Sequence, residues 1–384
     1  MKKNNQKLII IIGILILSCI IFYAGQFLFS QRRAPSEVGP STKTAQDSQI
    51  NMIQPSPVEY QHISKNINGH KQEVFTLEFD PLDKRIEFKP ALSFDNVFGF
   101  EKLSDICKRT GAYAAINGGF FYEYGDPVGM VAIDGNIFMS SAGYDPVFLL
   151  DKNGASFRKI ISKLYFSFKG EKTYINKLNR TGMDGNIVLY TSDYGLTNRA
   201  KIKNTSIRVE NNTVTYITKD TIKEVALKKD SYLISFFGKK ASLPNELGIK
   251  KGDKVNIETR PQFDGIYQAY ECGSMLVKDG ISVAPDKDRW VGTLNNRDPR
   301  TAIGIKEDGR VVLIVVDGRQ PGYSSGFTGE ELANYLVSIG VKNAAMLDGG
   351  ATSQIFVHGR LQNKPSYRGI ERPVAGAFIV KVKP

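Results

Sequence analysis

The stretch from residue 297 to residue 350 constrains the fold most, because two very apolar runs flank a helical pattern there. Val311–Val316 is an unbroken apolar run rich in β-branched residues, which predicts a strand buried on both faces. A glycine-rich loop follows, and Thr328 begins a helical pattern that ends at Gly340. A second short apolar run, Ala344–Leu347, comes next. The order therefore predicts a strand, a helix and a strand.

Each of the two apolar runs stops at an aspartate followed by a glycine. The first run ends at Asp317 and the second at Asp348. Strands joined by a helix are normally parallel, so their carboxyl ends lie at one edge of the sheet, where open α/β sheets bind ligands. If the strands were direct neighbours, a spacing of about 4.8 Å would bring both carboxylates within reach of one substrate. Two carboxylates that only stabilise loops are the alternative.

The rest of the chain predicts mainly β structure. Five pairs of turn residues each separate apolar or alternating runs and predict β-hairpins. Helical patterns are few, and the clearest outside the first stretch is the short Leu103–Arg109. We therefore expect an α+β fold, with strand-rich mixed sheets, few helices and one β-α-β crossover near the C-terminal end. The predicted hairpin turns are Asp134-Gly135, Asn153-Gly154, Asn211-Asn212, Asp279-Gly280 and Asp308-Gly309.

The N-terminal segment differs in composition from the remainder. Leu8–Phe29 is mostly apolar and long enough to cross a bilayer core about 30 Å thick, so residues 1–30 predict a transmembrane anchor or a signal. The anchor is favoured because no small-residue cleavage site ends the run. Residues 31–59 predict a flexible tether and residues 60–384 a globular domain. The expected location is the cell membrane, single-pass with the C-terminal domain outside; a cleaved signal would make the protein secreted.

Charge and cysteine content narrow the class of partner. The formal net charge of +12 favours an anionic partner such as a phosphorylated glycan, although a lysine-rich surface kept for solubility is the alternative. Cys107 and Cys272 either pair outside the membrane or remain free buried thiols. The chain has no zinc-ligand spacing, P-loop, G-x-S-x-G elbow or dinucleotide motif. We expect no nucleic-acid partner.

Arginines and one further carboxylate stand beside the predicted loops. Arg300 precedes a buried strand, and planar guanidinium groups suit bidentate binding of phosphate or carboxylate. Surface ion pairs with neighbouring acids are the alternative. Glu331 lies three residues after Thr328, which matches a capping box, so a structural role is favoured for this carboxylate. The arginines in question are Arg297, Arg300, Arg319 and Arg372.

Asn117 and Gly118 end another predicted strand, Ala112–Ile116. Glycine permits a close backbone approach, and an asparagine at this point can direct its amide into a cleft. A tight turn followed by core aromatic residues is the alternative, because asparagine and glycine are common turn residues.

The chain contains six motifs: Ala115–Phe121 (AINGGFF), Arg297–Gly304 (RDPRTAIG), Val316–Arg319 (VDGR), Thr328–Ala333, Leu347–Gly350 (LDGG) and Glu371–Val374 (ERPV). In this order and spacing they resemble the phosphodiester glycosidase family over about residues 65–384. Ala351-Thr352-Ser353 departs from the family pattern, in which another glycine and a serine often follow LDGG. This departure concerns the shape of the loop and so the choice of substrate.

The resemblance implies hydrolysis of the bond between a sugar's anomeric carbon and a phosphodiester oxygen, which releases sugar and a phosphomonoester. It implies that Asp348 and Asp317 serve as nucleophile or base, in either order, with Glu331 as a supporting third carboxylate. Arg300 and Arg319 would hold the phosphate. The full set of expected substrate-binding residues is Asn117, Gly118, Arg297, Arg300, Arg319, Gly349 and Arg372.

Two other functions fit the same residues. One is non-catalytic binding of anionic cell-wall polymer, and the other is a membrane-anchored glycan phosphotransferase. Under every one of these functions the expected partners are an anionic or phosphorylated glycan and, through the N-terminal helix, the membrane. No cofactor is required by the pattern, and a divalent cation held by Asp317 or Asp348 is compatible with it.

Overall fold

The computed structural model describes residues 55–260 and 267–383. The anchor or signal predicted for residues 1–30 lies outside the described residues, as does most of the tether predicted for residues 31–59. Within the described ranges no helix is long and apolar enough to cross a membrane. The first strand already begins at Val58, at the end of the segment predicted as a tether.

Strands account for most of the regular structure. Up to residue 217 they are β1 (Val58–Ile67), β2 (His70–Phe79), β3 (Ile86–Leu92), β4 (Ala114–Asn117), β5 (Val131–Ile133), β6 (Asn136–Met139), β7 (Ala142–Asp151), β8 (Gly154–Ile161), β9 (Lys163–Phe168), β10 (Glu171–Ile175), β11 (Lys177–Leu178), β12 (Ile187–Tyr190), β13 (Asn204–Glu210) and β14 (Thr213–Ile217). Beyond it they are β15 (Tyr232–Phe237), β16 (Asn256–Arg260), β17 (Gln268–Glu271), β18 (Met275–Lys278), β19 (Ile281–Ser282), β20 (Lys287–Asp288), β21 (Gly292–Thr293), β22 (Arg300–Lys306), β23 (Val311–Val316), β24 (Val341–Met346), β25 (Ile355–Val357), β26 (Arg360–Leu361) and β27 (Gly376–Val382).

Helices are few in the described part of the chain. The α-helices there are α1 (Leu103–Thr110), α2 (Leu243–Glu246) and α3 (Gly329–Ser338), and short 3₁₀ turns occupy Ser93–Asp95, Ser192–Tyr194, Gly238–Lys240 and Gly350–Thr352. The predicted α+β class, strand-rich with few helices, is therefore confirmed. Thr328 caps α3 as the capping-box pattern predicts: its hydroxyl accepts from the Glu331 amide, and the Glu331 carboxylate accepts from the Thr328 amide.

The largest sheet has seven strands in the order β1-β2-β23-β22-β24-β18-β19, all paired antiparallel. Strand β23 lies near its centre and is buried along its whole length. Val311, Leu313 and Val315 face one hydrophobic cluster, and the residues between them face a second cluster that includes Leu332 and Leu336 of α3. The unbroken apolar run follows from this burial on both faces.

The crossover from β23 through α3 to β24 is present, but the two strands are not direct neighbours. Strand β22 lies between them and runs antiparallel to both, so β23 and β24 point the same way at two strand spacings, about 9.6 Å. The carboxyl ends therefore share one edge, as predicted, while the condition of direct adjacency is not met. Arg300, the first residue of β22, lies between the two aspartates.

Smaller sheets surround this one. Strands β26-β25-β4-β27-β3 and β6-β5-β17-β7-β8 form antiparallel sheets, and β11-β12-β15-β13-β14 contains one parallel pair. Strands β10-β9-β16 and β20-β21 complete the described set. All five predicted hairpin turns join paired strands and are confirmed. Cys107 and Cys272 are buried free thiols, so the alternative of a disulfide between them is not met.

Candidate functional site

Asp348 follows the end of β24 and remains partly exposed to solvent. Its backbone amide donates to the carbonyl of Gly118 at 3.1 Å, and the Thr352 hydroxyl donates to its Oδ2 at 2.7 Å. Burial raises the pKa of Asp348 to about 6, while the Thr352 hydroxyl and the positive charge of Arg372 act against this rise. The carboxylate is thus held in place at the sheet edge and is ionised above about pH 6.

Two exposed arginines accompany this carboxylate. The Arg319 side chain is 52% exposed and its Nε donates to Asp298 Oδ1 at 2.6 Å. Its two terminal nitrogens lie 3.3 and 3.4 Å from the position that a Cβ on Gly350 would take, so Arg319 lies against the loop after Asp348. Arg372 is exposed, and within residues 55–260 and 267–383 its guanidinium group has no hydrogen-bond or ion-pair partner. Both cations are therefore accessible to an anionic ligand.

Asp317 lies in a different environment, because its residue is fully buried. Asn363 Nδ2 donates to Oδ1 at 2.7 Å, and the Lys364 amide and the Tyr323 hydroxyl donate to Oδ2 at 2.8 and 3.1 Å. Burial raises the pKa of Asp317 to about 6, these three donors lower it, and the negative charge of Glu73 raises it. The carboxylate joins the 323 and 363–364 loops to the end of β23.

Asn117 lies beneath the Asp348 loop and is 1% exposed. Its Nδ2 donates to the Asp348 carbonyl at 2.6 Å, and its Oδ1 accepts from the Thr301 hydroxyl and the Gln354 amide at 3.0 and 3.1 Å. All of these partners belong to the protein. The structure therefore places Asn117 where it fixes the backbone of Asp348, away from solvent.

Gly118 and Gly349 are sites of close backbone approach. A Cβ on Gly118 would lie 2.9 Å from the Tyr270 hydroxyl, and one on Gly349 would lie 2.9 Å from the Pro299 carbonyl oxygen. Any side chain at either position would displace the loops that carry Asp348. Both glycines thus contribute to the packing at the sheet edge.

Arg300 is 1% exposed, the largest fully buried side chain of the described residues. Its guanidinium group donates to the carbonyls of Phe327, Asn296 and Leu294 at 2.9, 2.7 and 3.3 Å. These bonds connect the start of β22 to the loops around it. The structure places Arg300 between the aspartates, but its guanidinium group is directed at backbone carbonyls.

Arg297 and Glu331 form a bidentate ion pair at the start of α3. Asn68 also donates to Glu331, at 3.1 Å. Burial raises the pKa of Glu331, but the hydrogen bonds from Arg297, Thr328 and Asn68 outweigh it and leave the pKa below its ordinary value. Glu331 is thus engaged in the cap of α3, and Arg297 is engaged in the ion pair with Glu331. In the described part of the chain, the hydrogen bonds of these two side chains do not reach the Asp348 loop. Among the described residues no group of three or more His, Cys, Asp or Glu side chains could hold a metal ion.

Sequence reasoning did not single out a second feature, a cavity of about 720 Å³. It adjoins the chain just after Gly119 and is lined by aromatic and charged side chains from several elements. The sequence signals for this cavity are weak: several tyrosines spread along the chain and the position of its single tryptophan. The principal lining residues are Tyr122, Tyr124, Tyr144, Tyr174, Arg180 and Trp290.

Taken together, the described chain is a strand-rich α+β protein in which strand-end loops bring carboxylates and arginines to one sheet edge. Residues 203–381 match the family model for phosphodiester glycosidase. This part of the chain is therefore similar to the phosphodiester glycosidase family, in agreement with the resemblance found in its motifs. The matched range contains Asp317, Asp348 and Arg372, whereas Asn117 precedes it.

Two individual relatives match shorter parts of the chain. An uncharacterized SPbeta prophage-derived protein, YomE from Bacillus subtilis (strain 168), is 39% identical over 116 residues, 30% of this chain and 18% of YomE. The N-acetylglucosamine-1-phosphodiester alpha-N-acetylglucosaminidase of Bos taurus is 28% identical over 106 residues, 27% of this chain and 20% of the bovine protein. The alignments thus span about a fifth of the length of these relatives.

One solved structure shows the same fold over most of the chain. The crystal structure of a hypothetical protein from Synechocystis superposes with a TM-score of 0.73 at 22% sequence identity, covering 85% of this chain and 62% of that one. At this identity the similarity concerns the fold alone.

Proposed function

We propose that this protein hydrolyses a glycosyl phosphodiester, with Asp348 as the acting carboxylate and Arg319 and Arg372 as the phosphate-binding residues. The observation that carries this proposal is the partly exposed residue Asp348, whose pKa is lowered by the exposed Arg372 and whose loop adjoins the exposed Arg319, within the range that matches the phosphodiester glycosidase family. The bovine relative is named for a reaction of this class.

The proposed reaction breaks the bond between the anomeric carbon and the bridging oxygen. The bridging oxygen leaves with the bonding electrons as part of a phosphomonoester, and the oxygen of a water molecule adds to the anomeric carbon. Negative charge grows on the departing phosphate, where Arg319 and Arg372 stabilise it, and positive charge grows on the sugar ring, where the Asp348 carboxylate stabilises it. Asp348 acts as nucleophile or as base for the water proton.

The buried candidates have positioning roles in this proposal. Asp317 orders the loop at residues 363–364 through two hydrogen bonds and Tyr323 through a third, and Asn117 fixes the Asp348 backbone. Arg300 holds the loops on either side of β22 through backbone carbonyls. None of these three side chains needs to contact substrate for its removal to lower activity.

The proposed substrate is a sugar-1-phosphodiester of a cell-envelope glycan or exopolysaccharide. Two sequence features support it: the apolar segment within residues 1–30, which favours export of the domain, and the net charge of +12, which favours an anionic polymer. Export with retention at the membrane would place the domain next to such a polymer.

The test incubates the purified full-length protein with the methyl phosphodiester of N-acetylglucosamine 1-phosphate, with and without a saccharide acceptor. Hydrolysis releases free sugar and methyl phosphate in both arms. A phosphotransferase gives product only when the acceptor is present. Saturable, salt-sensitive binding with no product in either arm would show a non-catalytic polymer-binding protein instead. A parallel arm with a chelator determines whether turnover requires a divalent cation.

A further inference from the structure

The cavity of about 720 Å³ brings together aromatic side chains that soluble proteins usually bury or scatter. Its volume lies within the range of small-molecule sites, about 300–1,000 Å³. Tyr122, Tyr124, Tyr144 and Tyr174 are 45, 56, 62 and 46% exposed, and all four line it. We call these four tyrosines and Trp290, with the space between them, the aromatic pocket.

Trp290 is fixed in its orientation by three neighbours. Its indole Nε1 donates to Asp145 Oδ2 at 3.1 Å, so the ring cannot turn freely. Phe120 stacks against it at a centroid distance of 6.5 Å, and Tyr122 meets it edge-on at 6.0 Å. A ring held in this way offers a rigid apolar surface to a ligand at little cost in conformational entropy.

The polar part of the wall is also held in place. Arg180 donates to the carbonyls of Val128 and Ser140 at 2.7 and 3.1 Å, which connects two sides of the pocket. The buried carboxylate of Glu271 accepts from the Met130 amide at 2.7 Å. Buried and partly buried hydrogen bonds therefore hold the polar wall and the Trp290 ring in place, and the four tyrosines, 45–62% exposed, surround them.

Its charges nearly cancel, in contrast to the two exposed arginines beside Asp348. Four acidic side chains face three basic ones, and serine, threonine and asparagine side chains lie among them. This composition gives no net preference for an anion or a cation. The charged lining residues are Glu123, Asp126, Asp145, Glu271, Lys177, Arg180 and Arg289.

We infer that the aromatic pocket is a binding site for a neutral saccharide. Sugar rings present apolar C–H faces that pack against aromatic rings, and hydroxyl groups that exchange hydrogen bonds with carboxylates, amides and hydroxyls at the rim. Rigid aromatic faces, rim hydroxyls and balanced charge are the features that such a ligand requires.

This site goes beyond the reaction proposed above, because the pocket contains none of Asp348, Arg319 and Arg372. Binding of a phosphate-free saccharide and hydrolysis of a phosphodiester are measured separately, so either proposal can fail alone. The segment from Gly118 to Phe120 contacts both the Asp348 loop and the aromatic pocket. The Gly118 carbonyl accepts from the Asp348 amide, and Phe120 packs on Trp290.

The experiment uses the fluorescence of Trp290, which reports on the pocket alone because it is the chain's single tryptophan. The full-length protein is titrated with two neutral probes, tetra-N-acetylchitotetraose and cellotetraose. We expect a saturable change in fluorescence with at least one of them. Tyr174→Ala and Tyr124→Ala should each weaken binding about tenfold, because each removes one aromatic face.

Tyr232→Ala is the matched control, since Tyr232 is 42% exposed and does not line the pocket. It should bind like the unmodified protein, and circular dichroism checks that all three variants fold. The inference is overturned if neither probe gives a saturable change up to millimolar concentrations. Equal weakening in the control variant, or displacement of the probe by inorganic phosphate in preference to free saccharide, also overturns it.

Discussion

The loops after β23 and β24 have the same sequence signature and opposite environments. Each follows a buried strand and starts with aspartate and glycine. Asp317 is fully buried and accepts from three donors. Asp348 is partly exposed as a residue, its carboxylate accepts from the Thr352 hydroxyl, and the exposed Arg319 and Arg372 lie against its loop or act on its pKa. The difference shows that a strand-end aspartate pattern locates a loop without determining whether its carboxylate faces solvent.

The cause lies in segments distant from the two loops in sequence. Asn363 and Lys364, which follow β26, fold over Asp317 and provide two of its three donors. Within the described residues, the side-chain donor to the Asp348 carboxylate is Thr352 of its own loop, and the positive charge of Arg372 lowers the pKa of Asp348. A structural carboxylate and an acting carboxylate should therefore respond differently to substitution.

Asp348→Asn should lower turnover of the phosphodiester by about 10²–10⁴-fold, because the amide cannot ionise. The side chain keeps its size and an oxygen that accepts from Thr352. In the unmodified protein, activity should fall as pH decreases through about 6, since the raised pKa of Asp348 leaves the reactive carboxylate form only above that pH. Initial rates between pH 4 and 9 measure both effects.

Asp317→Asn is the matched variant. It should retain at least about a tenth of the turnover, a loss smaller than the range for a missing acid or base group. Because burial raises the pKa of both aspartates to about 6, the fall in activity at low pH (the acid limb of the pH–rate profile) does not by itself identify which carboxylate causes it. The acid limb should persist in Asp317→Asn. If it disappeared in that variant while Asp348→Asn kept full activity, Asp317 would be the acting carboxylate and Asp348 the structural one.

Asp317→Ala should reduce the free energy of unfolding by roughly 3 kcal/mol, because the donors from Asn363, Lys364 and Tyr323 lose their buried acceptor. Asp348→Ala should cost about 1 kcal/mol or less, since the Thr352 hydroxyl also donates to the Gly349 carbonyl at 2.7 Å. Urea denaturation at pH 8 compares the two variants. Similar losses would mean that the two carboxylates do not differ in structural role.

Arg319→Gln and Arg372→Gln should each raise KM for the phosphodiester about 10–100-fold, the effect of losing a hydrogen bond between charged groups. They should differ in their pH profiles. Removing Arg372 removes a positive charge that lowers the pKa of Asp348, so the acid limb should move to higher pH. In Arg319→Gln the acid limb should stay at the same pH. If the limb shifted in neither variant, Arg372 would not act on the pKa of Asp348.

Much of the fold follows from local sequence signals. Turn residues such as Asp134-Gly135 and Asp308-Gly309 force hairpins at the predicted positions, and the period of the apolar residues identifies β23 and α3. The order of strands within the sheet did not follow, because β22 enters between β23 and β24 through pairings that no local signal encodes. The predicted distance between the aspartates depended on that order.

The sequence motifs predicted which loops form the candidate site, because the motifs determine the backbone geometry of those loops. They did not predict which side chains face solvent, because burial in the tertiary fold decides that. Asn117 and Arg300 belong to the motifs but direct their polar groups into the protein. The aromatic pocket had no motif at all, because its side chains come from the loop after β4, from β7 and β10, and from the turn between β20 and β21. Only the tertiary fold brings these segments together.

Glu331→Gln should produce the smallest effect, a loss of about 1 kcal/mol in the free energy of unfolding with turnover within about twofold of the unmodified protein. The glutamine oxygen still accepts from the Thr328 amide, so the cap survives, but the ion pair with Arg297 is lost. Arg297→Gln, which breaks the same pair from the other side, should give a similar loss of stability. If Glu331→Gln instead abolished turnover while stability was unchanged, Glu331 would belong with Asp348 in the reaction and the capping role would be secondary.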